Sequence, residues 1–177
     1  MTGALGILQN WLMRARQAKM GLYNPRQVII VTCREKDFND AVTLSWHTPV
    51  SFEPFYYGIL LSGKRKSLEM IRNSREFCVN FVTGEMEELA LFCGTHSGRD
   101  MDKFKEKNIE KEECETINCA RIKGCSAYLE CKVKEIIELG DHFLVVGKVL
   151  RKEEGNNKKK LFQNNITGGY SFTTTAD

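Results

Sequence analysis

Two short polar segments of this 177-residue chain carry residue types that can bind an anionic ligand. The first, residues 62–66, combines a hydroxyl, a glycine and three cations just before an amphipathic helical pattern that begins near Ser67. The first N–H groups of a helix lack internal partners, and the helix dipole adds positive charge there. We therefore predict that Ser67 caps the helix and that the turn binds a phosphate. The alternative is a solvated basic turn that caps an ordinary helix.

The second polar segment, residues 43–48, precedes a proline-bounded kink (Pro49 to Pro54) and an apolar run that leads into the basic turn. The whole stretch is typical of a strand, a polar shelf, a buried strand, a turn and a helix. Such a strip suits a ligand that has a flat polar ring at one end and a phosphate at the other. The alternative is a polar strand end in which Trp46 belongs to the core.

Short strands must position these two segments. β-Branched and alternating apolar patterns predict strands at 27–33, 41–46, 55–62 and 77–82, and a final hairpin of 126–137 with 143–150 around Gly140 and Asp141. Helices are predicted at 67–73 and 86–93, with a short amphipathic turn at 101–107. A charged loop follows at 151–160. Many strands with few helices indicate a mainly β barrel with flanking helices rather than a doubly wound parallel sheet.

Length and composition indicate a single domain over residues 1–177. A helix is predicted near its N-terminus, over residues 4–20. The C-terminal arm, residues 161–177, is expected either to add an edge strand or to extend as an arm without joining a sheet. A net charge of +3 is too small to indicate a nucleic-acid or membrane partner. The chain has no apolar run of about 18 residues and no signal-peptide pattern. We therefore expect a cytoplasmic protein.

The seven cysteines do not form the regular spacing of a secreted disulfide framework. Cys93 and His96 form a Cys-x-x-His pair, and four more cysteines follow at intervals of five and six residues. Zinc and iron–sulfur sites usually contain close Cys-x-x-Cys pairs, which this sequence lacks. We therefore predict no metal site.

A family resemblance sharpens these expectations. The chain contains six segments in this order: NPRQVIIVTC, NDAVTLSWHTPVSFEP, SGKRKS, EFCVNFV, GTHSGRDMDKF and GDHFLVVGKV. This order resembles the flavin reductase-like FMN-binding split barrels, flavoredoxins among them, over residues 24–149. The resemblance implies a split barrel, FMN as cofactor with FAD as the alternative, NADH or NADPH as co-substrate, and a homodimer with the flavin near the subunit interface.

The same resemblance implies which residues bind the cofactor. Some contact the flavin ring, some contact the phosphate, and some approach the cofactor from a neighbouring loop. These cofactor-binding residues are Thr43, Leu44, Ser45, Trp46, His47, Thr48, Ser62, Gly63, Lys64, Lys66, Ser67, Asn80, Phe81, Ser97, Arg99 and Lys103. It places His142 at the open face of the flavin, as a proton donor or a partner of the nicotinamide amide. The alternatives are a backbone partner for Asn80, a surface ion pair for Arg99 and a structural turn histidine at position 142.

The function that follows is a flavin reductase-type oxidoreductase. Such a protein passes hydride from NAD(P)H to bound FMN, and electrons then go to free flavin, iron or a protein. The alternative is an FMN-binding electron carrier that does not use NAD(P)H directly.

Overall fold

The computed structural model describes residues 22–164 and 171–175, and among these residues strands take 51% and helices 17%. The predicted mainly β class is therefore confirmed. The strands are β1 Arg26–Gln27, β2 Ile29–Glu35, β3 Phe38–Leu44, β4 His47–Phe52, β5 Phe55–Ser62, β6 Glu76–Phe81, β7 Lys111–Glu113, β8 Ala120–Ile122, β9 Ala127–Leu139, β10 His142–Glu154, β11 Leu161–Gln163 and β12 Phe172–Thr174. The helices are α1 Lys66–Ser74, α2 Glu87–Thr95 and α3 Lys103–Glu106, with a 3-10 turn at Gly84–Met86. The predicted N-terminal helix lies outside the described residues and stays a prediction.

Seven antiparallel strands form the main sheet in the order β3-β2-β6-β9-β10-β5-β4. Its first and last strands, β3 and β4, are neighbours in the chain and are joined only by Ser45 and Trp46. The sheet must therefore curl until its two ends meet. A hydrogen bond of 3.0 Å from the Leu60 N–H of β5 to the Trp46 carbonyl extends the β4–β5 pairing into this two-residue connection. The result is a barrel whose rim carries the 43–46 segment.

The strand residues alternate between two apolar clusters, as the pleat of a strand requires. Ile29 and Val31 point into the barrel, where they pack with residues of α1 such as Ile71. Val28 and Ile30 point outward and are covered by α2, α3 and the C-terminal strand β11. The helix that follows the basic turn is thus anchored in the barrel core, which fixes the position of the turn.

The structure corrects three local predictions. A strand, β4, occupies the stretch where a proline-bounded kink was expected, because Pro49 lies on the sheet's edge strand, where a missing N–H is tolerated. β10 continues to Glu154, so the predicted charged loop begins four residues later than expected. The tail from Leu161, expected to be one edge strand or an arm, supplies two strands of a separate sheet, with β11 in the middle next to β1 and β12 at the edge. Strands of two or three residues are too short to produce a readable periodicity.

Asn80, one of the predicted ligand contacts, joins three strands through its side chain. Its Nδ2 donates to the Ile30 carbonyl at 2.9 Å and to Thr32 Oγ1 at 3.1 Å, and its Oδ1 accepts from the Ile122 N–H at 2.8 Å. The side chain is fully buried. These partners satisfy a buried amide without any ligand.

We expect the Asn80→Ala substitution to lower the free energy of unfolding by about 1–3 kcal/mol, because the buried Ile122 N–H loses its acceptor. Urea unfolding of the purified variant measures this loss. Asn73→Ala is the matched control, since the Asn73 amide donates to Glu35 at 2.6 Å on the exposed surface. That control is expected to cost under about 0.5 kcal/mol. Equal losses in the two variants would contradict the structural role of Asn80.

Candidate functional site

A cleft of about 490 Å³ opens at the barrel rim, where the ends of β3 and β5 meet α2 and the β9–β10 turn. Its volume lies within the usual range for small-molecule sites. Strand ends, a helix and the C-terminal sheet all contribute to its walls. The lining residues are Tyr23, Val28, Thr43, Leu44, Ser45, Trp46, Leu60, Ser62, Arg65, Ala90, Leu91, Gly94, Asp141, His142, Gln163 and Phe172.

The predicted ring segment and the predicted catalytic histidine meet in this cleft. Residues 43–46 form one wall, and Thr43 Oγ1 donates to the Ala90 carbonyl at 2.6 Å, which ties β3 to α2. The rings of Trp46 and His142 lie 5.0 Å apart, tilted by 34°. His142 Nδ1 lies 2.8 Å from Asp141 Oδ1, and its cross-strand partner is Ser62. The structure thus brings His142, which only the resemblance linked to the site, next to the 43–46 segment and the end of β5.

Arg65 is the cation of the basic turn that lines the cleft. Its Nη2 donates to the Gly94 carbonyl at 2.9 Å, so the guanidinium is held between the turn and α2. Lys66 points elsewhere, with Nζ 2.7 Å from Glu69 Oε1. Gly63 and Lys64 are exposed, and neither lines the cleft. The sequence placed Arg65 among the three cations, but nothing in the local pattern distinguished it from its neighbours.

Ser67 does not cap the helix, so that prediction is wrong. α1 begins after Arg65, whose backbone is extended with ψ of 133°, and no side chain caps it. Ser67 is the second helical residue, is buried, and donates from Oγ to Asp40 Oδ2 at 2.5 Å. A residue already inside the first turn cannot adopt the extended backbone of a capping residue.

The predicted loop contacts lie behind the cleft, against α1. Arg99 Nη2 lies 2.9 Å from Glu69 Oε2, and the backbone N–H of Arg99 donates to Ser97 Oγ at 3.1 Å. Lys103 is buried, with Nζ 3.0 Å from Asp40 Oδ1. Arg99 thus contacts α1 and Lys103 contacts β3, and none of the three residues lines the cleft.

His47 does not line the cleft either. Its Nε2 lies 2.9 Å from the Gln27 carbonyl, which can only accept, so Nε2 carries the proton. The Tyr57 hydroxyl then donates to Nδ1 at 2.6 Å. The Phe81 ring packs edge-on against both rings. Thr48 is exposed on β4. Neither Thr48 nor Phe81 lines the cleft.

Burial lowers the pKa of His47 below its ordinary value of 6.5, and the positive charge of Arg26 contributes. As the pH falls below 6.5, the His47 imidazole binds a proton in the unfolded chain at a higher pH than it does in the folded protein. Stability from His47 is therefore complete above about pH 6.5 and is lost as the pH falls towards the folded pKa. We expect the wild type to lose more stability than His47→Gln between about pH 7.5 and pH 5.5, measured by urea unfolding. Identical losses would contradict a neutral buried histidine.

The chain matches the model of the flavin reductase like domain over residues 20–170. It belongs to this family. The chain is 26% identical to a flavin reductase of Pseudomonas putida over 157 residues, which cover 88% of each protein. The structure of an FMN-binding protein from Thermus thermophilus superposes with a TM-score of 0.76 at 26% identity, covering 88% of this chain and 92% of that one.

Flavoredoxin from Methanosarcina acetivorans also superposes with a TM-score of 0.76, at 24% identity and 86% coverage of each chain, a likeness that shows the fold. The predicted split barrel is therefore confirmed.

The cysteines contribute small apolar side chains to this family member. All seven lie within the described ranges and are free thiols, and six are buried. Burial raises the pKa of Cys125 to about 12, so this thiol stays protonated near neutral pH. Over residues 22–164 and 171–175, no His, Cys, Asp and Glu side chains form a group that could hold a metal ion. None of the helices in these ranges is long and apolar enough to span a membrane.

Proposed function

We propose that this protein is a flavin reductase-type oxidoreductase that binds FMN in the rim cleft and uses NADH or NADPH as hydride donor. The observation that carries the proposal is the meeting of residues 43–46 and Arg65 in one cleft. Residues 43–46 supply a wall for a flat ring, and Arg65 supplies a cation at the turn before α1. The family membership and the FMN-binding relative support this assignment.

The strand-end segment holds the ring in this proposal. Leu44, Trp46 and Leu60 offer apolar and aromatic surface, while Ser45 offers a hydroxyl and backbone groups. Because backbone donors and acceptors at a strand end are held rigidly by the sheet, they orient a ring without much loss of side-chain entropy. The bonds of Thr43 to α2 and of Trp46 to β5 keep this wall in place.

Arg65 binds the phosphate in this proposal. A guanidinium has five N–H donors, and the bond to the Gly94 carbonyl engages one nitrogen, which leaves donors for an anion. The Lys66 and Ser67 N–H groups at the start of α1 add partial positive charge. FAD would present a diphosphate at the same turn and is the alternative cofactor.

Trp46, Asp141 and His142 border the face where a nicotinamide would enter. Bound flavin supplies the two-electron acceptor for the hydride, and the protein's part is to align the two rings. His142 is the candidate for orienting the nicotinamide or holding a proton near the ring. Because alignment contributes more than acid–base chemistry here, we expect activity to be reduced but not abolished in His142→Ala. Electrons then pass to free flavin, iron or a protein.

The remaining features of the proposal are a homodimer with the flavin near the interface and a cytoplasmic location. In a homodimer, Arg99 of one chain would approach the phosphate bound by the other. Neither nucleic acid nor membrane is proposed as a partner, since the net charge is only +3.

Anaerobic titration tests the function. Purified protein saturated with FMN is mixed with NADH or NADPH, and the visible absorbance of the flavin is followed. We expect loss of this absorbance within a catalytic timescale with at least one nucleotide. Bleaching by a reduced protein partner but by neither nucleotide would favour the electron-carrier function. A protein that takes up neither FMN nor FAD would overturn both.

A further inference from the structure

One buried hydrogen-bond donor in the cleft has no partner among the residues that the structure describes. Gln163, on the C-terminal strand β11, lines the cleft and is only 5% exposed. Its Nε2 is buried and makes no hydrogen bond within the part of the chain that the structure describes. An unpaired buried donor destabilises the folded protein, and a bound acceptor would remove this cost.

The position of Gln163 follows from the pairing of β11 with β1. Gln163 lies opposite Arg26, and the Val28 N–H donates to the Leu161 carbonyl at 2.9 Å, so Gln163 and Val28 share one face of the small sheet. Both line the cleft, together with Phe172 of β12. Val28 and Phe172 have no polar side-chain atoms, so they cannot satisfy the amide. The donor therefore has two apolar neighbours in the cleft wall, and a polar group placed beside apolar ones commonly orients a ligand.

We propose that Gln163 Nε2 donates a hydrogen bond to a carbonyl oxygen of the planar ring bound in the cleft. This inference rests on the proposed function, and it assigns specificity to the C-terminal strand β11. The pyrimidine ring of a flavin presents two carbonyl oxygens, and a nicotinamide presents one. Both rings offer the same chemistry, an uncharged carbonyl acceptor at the edge of a flat heterocycle.

The test compares Gln163→Leu, which keeps the volume but removes the donor, with the wild type. We expect the dissociation constant for FMN, measured by fluorescence titration, to rise about 5- to 30-fold. The infrared carbonyl stretch of bound FMN is expected to move to higher frequency, because the C=O bond is no longer weakened by a donor. A merely structural role for Gln163 would not move this band. Gln163→Met, whose thioether has a similar length and no hydrogen-bond donor, is expected to show the same loss should the leucine variant fold poorly.

Gln27→Leu is the matched control. Gln27 lies on the neighbouring strand, its side chain does not line the cleft, and its Nε2 is also buried without a partner within the described ranges. We expect its FMN affinity and carbonyl band to match those of the wild type. A control that loses as much affinity as Gln163→Leu would overturn the assignment to Gln163.

The arms of the experiment identify the ring. Weaker FMN binding by Gln163→Leu, together with a shifted carbonyl band of bound FMN, assigns the hydrogen bond to the flavin. An unchanged FMN complex with a raised KM for NADH or NADPH, at constant kcat, assigns it to the nicotinamide. Wild-type protein that binds FMN, with variants that change neither quantity, overturns this inference alone. Wild-type protein that binds no flavin overturns the proposed function and this inference with it.

Discussion

Arg65→Ala is expected to weaken FMN binding by about 10- to 100-fold while riboflavin binding changes by less than about threefold. Arg65 lines the cleft, and loss of a charge-assisted contact to a phosphate typically costs about 1.5–3 kcal/mol. Riboflavin has the same ring but no phosphate, so its binding reports the ring wall alone. Fluorescence titration with both flavins gives the two dissociation constants.

Lys66→Ala is the matched control for this prediction, because Lys66 belongs to the same turn but its Nζ is held by Glu69 at 2.7 Å. We expect its FMN affinity to fall by less than about threefold. A larger loss in Lys66→Ala than in Arg65→Ala would show that the phosphate lies on the lysine side of the turn. Equal losses of FMN and riboflavin in Arg65→Ala would show that the guanidinium supports the fold of the cleft rather than the phosphate.

Lys103→Met is expected to cause the largest loss of stability, about 3–5 kcal/mol. Lys103 and Asp40 are 2% and 1% exposed, and their charged atoms lie 3.0 Å apart. Lys103 Nζ also donates to the Ala41 carbonyl at 2.5 Å. Removal of the lysine charge leaves Asp40 buried with Ser67 as its remaining side-chain donor. For a protein of this size, the loss corresponds to a fall in Tm of about 6–20 °C.

Two further variants separate the ion pair from simple loss of a side chain. Lys105→Met removes a lysine from the same short helix, α3. The Lys105 side chain is 85% exposed, and its Nζ lies 3.2 Å from Asp102 Oδ2. It is expected to cost under about 1 kcal/mol. The double variant Lys103→Met with Asp40→Asn removes both charges and is expected to recover part of the loss. A double variant as unstable as the sum of the single ones would contradict coupling between the charges.

Both predictions concern the same structural connection between the phosphate turn and the ring wall. Asp40 lies on β3, only three residues before Thr43, and it accepts from Ser67 in the first turn of α1. Lys103 completes this buried cluster from the other side. The cluster therefore holds the start of α1 at a constant distance from the strand end. Such residues position the site without contacting its ligand.

Local patterns predicted six of the twelve strands in the described part of the chain, namely β2, β3, β5, β6, β9 and β10. The predicted strand 55–62 matches β5 at both ends, because its apolar run is bounded by a proline and by the basic turn. The final hairpin was predicted around Gly140, whose φ of +64° suits a glycine in a tight turn. Periodicity is sufficient in these cases because each element is long and its ends are marked by residues with strong backbone preferences.

Packing in three dimensions decided which of the predicted site residues reach the cleft. Lys64, Arg65 and Lys66 are adjacent in a turn, so their side chains point in different directions, and the positions of Glu69 and Gly94 select the arginine. A similar selection by burial directs Lys103 to Asp40. The Lys66–Glu69 pair is a local i, i+3 contact within α1, but the partners of Arg65 and Lys103 belong to other elements, so no local pattern contains them.

The sequence by itself determined the class of the protein. The order of its strands and of its polar segments indicated a mainly β barrel, and the 43–46 segment and the basic turn were recognisable because strand ends and helix starts are local features. Only the tertiary structure decided the composition of the cleft, in particular the inclusion of Gln163, which is about 100 residues from the basic turn in the chain. The physical reason is that a cleft is formed by side chains from distant elements, and their directions follow from how the sheet curls and which buried partners each of them finds.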